Sequence, residues 1–513
     1  MPNFRRLIDN PDFEVSTAGW TEGLDISTNG QYHAVMEFTP TAQQNEALAA
    51  YATGGNLLLR AGAGTGKTST LRLLAGSDED KRVLFIAFNV SVKDAAVASF
   101  PSNTVCLTSA GLANRGLRAS GHSALVSRML SKNQSPVERS KILGLPFQHA
   151  IEGNDGEVKV FQGWQLASIA ISTVSRFCYS ADAEVTGWHV PKLDGLTESQ
   201  HESLKTFIVP FARKVWADIC NPQGRLTWAQ GHDFYFKFWA LTNPVLDFDA
   251  VFVDEAQDTN PALAGVIANQ TTQIVMVGDE SQAIYGWRGA RDAMSGFNAD
   301  HVVNLSQSFR FGPAVAEFAN KFLGLLDAPL RIEGAGPEST VGEVHEPDAI
   351  LTRTNAGAIE HAIEQLELGR KVALVGKMAN EIRSFVDAAE KLMNGKRVQH
   401  ADLAAFTSWD EVVDYVSQPE GRDLKMIVSL IDKYGIAGLR GIVEQTVSSK
   451  DADVVISTAH KAKGLEWNSV KIGGDFKVQT EEGEPVGPSE LMLMYVAVTR
   501  AMVSLDPGIL AGV

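Results

Sequence analysis

A short segment near the amino terminus has the composition of a phosphate-binding loop. Residues 60–68 read RAGAGTGKT and fit the pattern G-x-x-x-x-G-K-[ST], except that Ala61 stands at the first glycine position. Small residues let backbone N–H groups surround phosphate oxygens, and the N-terminus of a following helix adds a positive dipole. In this pattern Lys67 reaches the β- and γ-phosphates and Thr68 holds Mg²⁺. We therefore expect a nucleoside triphosphate and Mg²⁺ to bind at Ala61, Gly62, Ala63, Gly64, Thr65, Gly66, Lys67 and Thr68.

Two carboxylates follow a second predicted strand. Residues 251–258 read VFVDEAQD, which places Asp254 and Glu255 directly after a buried run. Ligands of open α/β sheets bind at the carboxyl ends of the strands. Asp254 can complete a Mg²⁺ shell, and Glu255 can orient or deprotonate a water that attacks the γ-phosphate. An acidic pair at a strand end is also typical of a solvated turn, but downstream of a phosphate-binding loop it indicates nucleotide hydrolysis.

Buried strands that alternate with helices must position these groups. Continuous apolar strands of this kind are typical of parallel sheets that are covered on both faces. The pattern predicts helices at 41–51, from Thr68 onward and at 490–502, and strands at 56–60, 83–88, 105–108, 250–253, 273–277, 302–305, 349–352, 371–375, 454–457 and 470–472. Two stretches, about 115–240 and 378–450, are predicted to be mostly helical. The fold class is therefore α/β, with two lobes that each carry a helical insertion.

The overall composition excludes several classes of protein. Apolar residues make up 44% of the 513 residues and charged residues 21%, which is typical of a globular chain and not of a disordered or fibrous one. Lys and Arg number 45 against 61 Asp and Glu, a net charge of −16. This balance argues against coating nucleic acid by bulk charge, although a local basic groove remains compatible with it.

Cysteine usage and hydropathy indicate a cytoplasmic protein. Cys106, Cys178 and Cys220 lie far apart without metal-binding spacing, and we expect buried, reduced thiols. We expect no secretory signal and no membrane-spanning segment, because no apolar run reaches about 18 residues. A cytoplasmic or nucleoid-associated location follows, or the host cytoplasm if the protein is encoded by a phage.

A series of motifs resembles the UvrD/Rep-type superfamily 1 DNA helicases. The motifs occur in that family's order at 44–48 (QNEAL), 61–68 (AGAGTGKT), 254–258 (DEAQD), 277–290 (VGDESQAIYGWRGA), 307–310 (QSFR), 457–467 (STAHKAKGLEW) and 495–501 (YVAVTRA). Further segments resemble the F-box DNA helicase-like branch: 87–89 (AFN), 180–182 (SAD), 189–191 (HVP) and 232–239 (HDFYFKFW). No F-box is evident. The segment 108–113 (TSAGLA) lacks the aromatic residue and histidine of the family's pattern.

The resemblance implies two RecA-like lobes with defined boundaries. We expect an N-terminal extension at 1–37, a first ATP-binding lobe at 38–114 and 241–312, and a helical insertion at 115–240. The second lobe is expected at 313–377 and 451–513, interrupted by a small insertion at 378–450.

The resemblance also assigns roles around the nucleotide. Gln44 reads the adenine edge, Phe309 stacks on the base and Glu466 contacts the ribose. Gln282 senses the γ-phosphate. Arg310 and Arg500 are arginine fingers that meet the charge developing on the transferred phosphoryl group, and they complete the site only when the lobes close.

Aromatic side chains in a groove suit single-stranded DNA, because every base offers a face for stacking. The expected DNA contacts are Phe88, Asn89, Thr108, Tyr285, Trp287, Arg288, Thr458 and His460. For the aromatic run in the insertion, a place in the hydrophobic core is favoured over a stacking platform; its members are Trp228, Phe234, Tyr235, Phe236, Phe238 and Trp239.

The resulting hypothesis is an ATP-dependent, Mg²⁺-requiring 3′–5′ translocase and helicase on single-stranded DNA and duplex junctions, with replication or recombination proteins as candidate partners. One alternative is a translocase that strips proteins from DNA with weak unwinding. Another is a nucleotide-switched DNA-binding module. RNA remains an open substrate, because stacking and phosphate contacts do not report the 2′-hydroxyl. No nuclease activity is expected.

Overall fold

The computed structural model describes residues 20–26, 32–153, 156, 158–193, 196–284, 293–396, 398, 400, 402–403, 406–417, 422–479 and 485–513. Three of the predicted DNA contacts, Tyr285, Trp287 and Arg288, therefore lie outside the described residues. Within the described part, none of the helices combines the length and apolar character needed to cross a bilayer.

The strands fall into two large sheets and three small ones. In chain order they are β1 (Trp20–Ile26), β2 (Tyr32–Phe38), β3 (Leu57–Ala61), β4 (Val83–Ala87), β5 (Thr104–Thr108), β6 (Gln148–Glu152), β7 (Val158–Gln162), β8 (Ala250–Val253), β9 (Gln273–Gly278), β10 (His301–Leu305), β11 (Gln307–Ser308), β12 (Glu333–Gly334), β13 (Thr340–Val341), β14 (Ala349–Thr352), β15 (Val372–Leu374), β16 (Val454–Thr458), β17 (Trp467–Ile472) and β18 (Ala501–Asp506).

Helices cover these sheets and build the insertions. In chain order they are α1 (Ala42–Ala52), α2 (Lys67–Gly76), α3 (Val90–Ser99), α4 (Ser109–Ala119), α5 (Ser123–Met129), α6 (Pro136–Leu143), α7 (Gly163–Tyr179), α8 (Glu198–Cys220), α9 (His232–Ala240), α10 (Pro261–Ala268), α11 (Pro313–Leu325), α12 (Asn355–Glu367), α13 (Met378–Met393), α14 (Trp409–Val416), α15 (Arg422–Gln445), α16 (Ala459–Ala462) and α17 (Pro488–Val498).

The first large sheet has six parallel strands in the order β10-β3-β9-β8-β4-β5. Strands β4, β8 and β9 are buried along their whole length, which explains their continuous Leu, Val and Phe content. The parallel arrangement brings the ends of β3, β8 and β9 to one edge. The phosphate-binding loop and the acidic pair therefore meet there, as the sequence predicts.

The second large sheet is also six-stranded and parallel, in the order β13-β18-β17-β14-β16-β15. One sequence prediction is wrong here, since the expected helix over 490–502 ends at Val498 and the chain continues as β18. Pairing with β17 and β13 completes the sheet, and this tertiary pairing overrides the local helical pattern. The two large parallel sheets confirm the predicted fold class.

Two hairpins form small sheets of their own. β1 and β2 pair antiparallel in the segment expected as an N-terminal extension, and β6 and β7 do so within the mostly helical insertion. Burial is as predicted for the aromatic run from Trp228 to Trp239, whose side chains pack in the insertion core. Cys106 and Cys178 are buried free thiols, whereas Cys220 is partly exposed.

Candidate functional site

The loop between β3 and α2 is shaped to receive phosphate oxygens. Gly64 and Gly66 have φ values of 73° and 77°, which favour glycine. A Cβ atom at Gly64 would lie 2.5 Å from Cβ of Arg310, so a side chain there would collide with the segment that follows β11. No side chain caps the N-terminus of α2. Its first N–H groups are therefore free of side-chain capping bonds and can bind an anion.

The acidic pair lies beside this loop. The hydroxyl of Thr68 hydrogen-bonds Asp254, and Nζ of Lys67 lies 3.8 Å from Oε1 of Glu255. Burial raises the pKa of Asp254, and the charge of Glu255 raises it further. A divalent cation at Thr68 and Asp254 would relieve that penalty, so these two residues fit a Mg²⁺ site completed by phosphate oxygens.

Glu255 has the opposite electrostatic environment. Burial alone would raise its pKa, but the charges of Lys67 and Lys463 and a hydrogen bond from Gln257 outweigh burial and lower it. The carboxylate is therefore ionised at neutral pH, as a base that orients water requires. Its φ of 49° is unusual for a residue with a side chain and indicates local backbone strain at the end of β8.

Gln44 and Phe309 lie on either side of the glycine that precedes α2. A Cβ atom on Gly66 would be 3.6 Å from Nε2 of Gln44 and 3.9 Å from the Phe309 ring. The Gln44 amide already accepts from the Thr41 N–H and donates to the Thr70 hydroxyl, which fixes its orientation. The structure therefore brings the two expected adenine contacts together at the loop.

Arg310 turns toward the second lobe. Its Nε donates to Glu466 and its Nη1 donates to the Thr499 carbonyl at 3.1 Å. The predicted ribose contact, Glu466, is thus an ion-pair partner of the predicted finger. The pair lies at the junction of the lobes, because Arg310 also touches the phosphate-binding loop at Gly64.

Arg500 is almost completely enclosed, with 2% of its surface exposed. Its Nη2 donates to Oε1 of Gln282 at 3.4 Å, and its Nε donates to the Val496 carbonyl. Burial, together with the nearby charge of Arg310, lowers its pKa to about 9, so it stays positive at neutral pH. Its charge also lowers the pKa of Glu255, which places the guanidinium within electrostatic reach of that carboxylate.

Lys463 lies in the motif at 457–467, but the sequence assigns it no role. Its Nζ donates to Oδ2 of Asp258 and to the Gln282 carbonyl, with the lysine and aspartate side chains both buried. Burial raises the pKa of Asp258 to about 6 despite this ion pair. An aspartate at the end of one family motif and a lysine inside another were the available signal, but sequence spacing does not reveal that they meet.

Gln257, Asp279 and Tyr495 were also missed. The Gln257 side chain donates to Glu255 and accepts from the Asp279 N–H, while the Tyr495 hydroxyl donates to Asp279. All three are buried side chains within the recognised motifs. Their position inside those motifs was the only signal, since a buried tyrosine or glutamine is otherwise unremarkable in a sequence.

The described DNA candidates lie at strand ends. Asn89, Thr108 and Thr458 follow β4, end β5 and end β16, and each caps the next helix through its side chain. Phe88 is 41% exposed and lines a cleft of about 470 Å³ between the first lobe and the insertion, whose lining includes Glu255. All four residues therefore lie at the carboxyl ends of strands of the two large sheets.

His460 is the remaining described candidate. It lies in the short helix α16 directly after Thr458, and burial, with the charge of Arg353, lowers its pKa. It is therefore mostly neutral at pH 7, and any phosphate contact would be a hydrogen bond and not an ion pair.

Comparisons with known proteins find DNA helicases that are similar to this chain. A family model described as the UvrD/REP helicase N-terminal domain matches residues 240–300. The chain is 30% identical over 498 residues to F-box DNA helicase protein 1 of Schizosaccharomyces pombe, covering 87% of this chain and 55% of that protein. It is 28% identical over 478 residues to F-box DNA helicase 1 of Gallus gallus, covering 86% and 46%. It thus spans about half the length of these curated relatives.

Other matches are more distant. DNA helicase II of Escherichia coli is 24% identical over 327 residues, which cover 58% of this chain and 42% of that protein. The solved structure of the PRRSV helicase aligns with 95% of this chain and 62% of its own at 11% identity, with a TM-score of 0.30.

Proposed function

We propose that this chain, a relative of the UvrD/Rep-type superfamily 1 helicases, hydrolyses ATP to move along single-stranded DNA in the 3′–5′ direction and to unwind duplex at junctions. The observation that carries the proposal is the contact between Arg500 and Gln282. It joins a guanidinium that follows α17 of the second lobe to a side chain that follows β9 of the first. ATP turnover would therefore depend on how the two lobes meet.

The chain's own residues suffice for a hydrolytic site. Lys67 and the N-terminus of α2 bind the phosphates, while Glu255 orients the attacking water and accepts its proton. Arg310 and Arg500 stabilise the charge that develops on the γ-phosphoryl oxygens. Mg²⁺ held by Thr68 and Asp254 would neutralise part of the phosphate charge.

Motion of the lobes is coupled to the ATP site because both lobes supply groups to it. Because Arg500 and Lys463 belong to the second lobe and reach the first, closing and opening of the lobes changes the site. A strand that lies across the edges of both sheets, on Phe88 and Asn89 of one lobe and Thr458 of the other, would be advanced by that motion. We also propose the domain boundaries given above for the two lobes and their insertions.

Strand displacement measured beside protein displacement tests the proposal. Duplex unwinding is compared on substrates with 3′ or 5′ single-stranded tails. Protein displacement is measured as the removal of streptavidin from oligonucleotides that carry biotin at either end. We expect ATP-dependent unwinding from 3′ tails and displacement at the 5′ end. Displacement without unwinding would support the protein-stripping alternative, and neither activity despite ATP turnover would refute translocation.

A further inference from the structure

The hydroxyl of Tyr495 occupies an unusual position between the two lobes. Tyr495 lies in α17 of the second lobe and is fully buried. Its oxygen accepts a hydrogen bond from the Ala63 N–H at 3.3 Å and donates to Oδ2 of Asp279 at 3.1 Å. One side-chain atom of the second lobe therefore contacts both the phosphate-binding loop and the segment after β9.

Asp279 connects this hydroxyl to the expected γ-phosphate sensor. The same Oδ2 atom that accepts from Tyr495 also accepts from Nε2 of Gln282 at 2.7 Å. Burial raises the pKa of Asp279, whereas the hydrogen bonds from Gln282 and Tyr495 lower it. The two donors thus stabilise the carboxylate in its charged form.

The contacts close into a ring that spans both lobes. Tyr495 donates to Asp279, and Asp279 also accepts from the NH₂ end of the Gln282 amide. The other end of that amide accepts from Arg500. Arg500 in turn donates from Nε to the Val496 carbonyl, on the helix that carries Tyr495. Because every member is buried and hydrogen-bonded, the ring has little freedom to rearrange in one place alone.

We propose that Tyr495 is a positioning residue that sets Gln282 and Arg500 relative to the phosphate-binding loop, through its hydrogen bonds to Ala63 and Asp279. This inference rests on the proposed ATP hydrolysis and adds a residue to it. Tyr495 acts through these neighbours and has no proposed contact with ATP. It transmits the position of the loop backbone to two side chains that act on the γ-phosphoryl group.

The substitution Tyr495→Phe isolates the hydroxyl. It keeps the ring in its buried place but leaves the Ala63 N–H without its acceptor and Asp279 with one donor fewer. We expect kcat for DNA-stimulated ATP hydrolysis to fall about tenfold, since small misplacements of reacting groups are costly. We expect KM for ATP, and the Kd of a fluorescent non-hydrolysable ATP analogue, to stay within about twofold of wild type.

The chain offers a matched control in Tyr51. Its hydroxyl is also buried, in the first lobe, but finds no hydrogen-bond partner among the residues that the structure describes. Tyr51→Phe removes the same kind of hydroxyl oxygen without breaking a hydrogen-bond network, so kcat should not change. Thermal unfolding of the full-length variants shows whether a loss of kcat reflects loss of folded protein.

A double-mutant cycle with Asp279→Asn gives a readout that a merely structural role would not produce. If Tyr495 acts through Asp279, the double variant should lose little more kcat than either single variant. Losses that multiply would overturn the inference, as would a kcat of Tyr495→Phe equal to wild type. Failure of the wild-type protein to hydrolyse ATP would instead refute the proposed function itself.

Discussion

Arg500 and Gln282 are joined by a hydrogen bond of 3.4 Å between Nη2 of the arginine and Oε1 of the glutamine. The arginine follows the last helix of the second lobe, and the glutamine follows a central strand of the first. Two groups proposed to act on the same phosphoryl oxygens are therefore in direct contact where the lobes meet.

Replacing the proposed base should separate nucleotide binding from hydrolysis. Glu255→Gln keeps the size of the side chain and its bond to Gln257 but removes the charge that orients water. We expect kcat for ATP to fall roughly 100-fold or more, with binding of a fluorescent ATP analogue retained. Glu280→Gln is the control, because Glu280 lies at the same edge of the sheet but pairs with Arg60. Equal loss in both variants would contradict the assignment.

A conservative change at Arg500 should be severe. Arg500→Lys retains a positive charge but cannot reproduce the planar fork that contacts Gln282, Thr499 and the backbone. Arginine fingers contribute about 10³–10⁵ to kcat in enzymes that use them, so we expect a loss of at least about 100-fold in phosphate release. Arg440→Lys alters a surface arginine paired with Asp387 and Glu390, and should leave the rate unchanged. A rate near wild type for Arg500→Lys would refute the finger.

The buried Asp258 should leave a signature in the pH dependence of stability. Its pKa is raised from 3.8 to about 6, so between these values the folded protein holds a proton that the unfolded chain has released. The contribution of this group to the free energy of unfolding therefore falls as pH rises through the window and is lost above pH 6.

Urea unfolding at pH 5.5 and pH 7.5 measures that contribution. Between pH 5.5 and pH 7.5, we expect the free energy of unfolding of wild type to fall by about 1 kcal/mol more than that of Asp258→Asn. Titrating histidines affect the stability of both proteins, and the contact to Lys463 is weakened in Asp258→Asn at both pH values. Comparing the pH-dependent changes of the two proteins therefore removes both effects. Parallel pH dependence of the two proteins would contradict the raised pKa.

The sequence predicts most of the scaffold and the ends of its strands. Continuous apolar runs locate the central strands to within a few residues, and the Gly-Lys-Thr triplet and the Asp-Glu pair follow the carboxyl ends of two of them. The error at 490–502 has a physical reason. Ala501 to Asp506 become strand β18 through pairing with β17 and β13, and both pairing partners are remote in sequence.

The contacts between motifs were beyond sequence reasoning. Lys463 and Asp258 are separated by 205 residues, and Tyr495 and Ala63 by 432. None of these residue types is unusual at its position in the sequence. Only the packing of the two lobes shows that the members of each pair are in contact. Trp287 illustrates the reverse case, because its proposed DNA contact rests on the motif alone and lies outside the described residues.

Stacking on DNA should depend on exposed aromatic rings. Phe88→Ala removes a ring that is partly open to the cleft beside Glu255, and Trp287→Ala removes the ring expected from the motif. We expect each to weaken binding of labelled single-stranded DNA by about 1–3 kcal/mol and to lower DNA-stimulated ATP turnover more than basal turnover. Phe147→Ala, an exposed ring outside the cleft lining, is the control. Equal loss of basal and stimulated turnover would mean that the ring is structural.

Steady-state phosphate release with and without single-stranded DNA tests the central claim most directly. Wild-type protein is assayed with ATP and Mg²⁺ alone, with DNA oligomers and with RNA oligomers of the same sequence. The account predicts a slow basal rate that single-stranded DNA raises at least about tenfold, because the strand holds the lobes in the arrangement that places Arg500 against Gln282. A rate that neither polymer changes would contradict it.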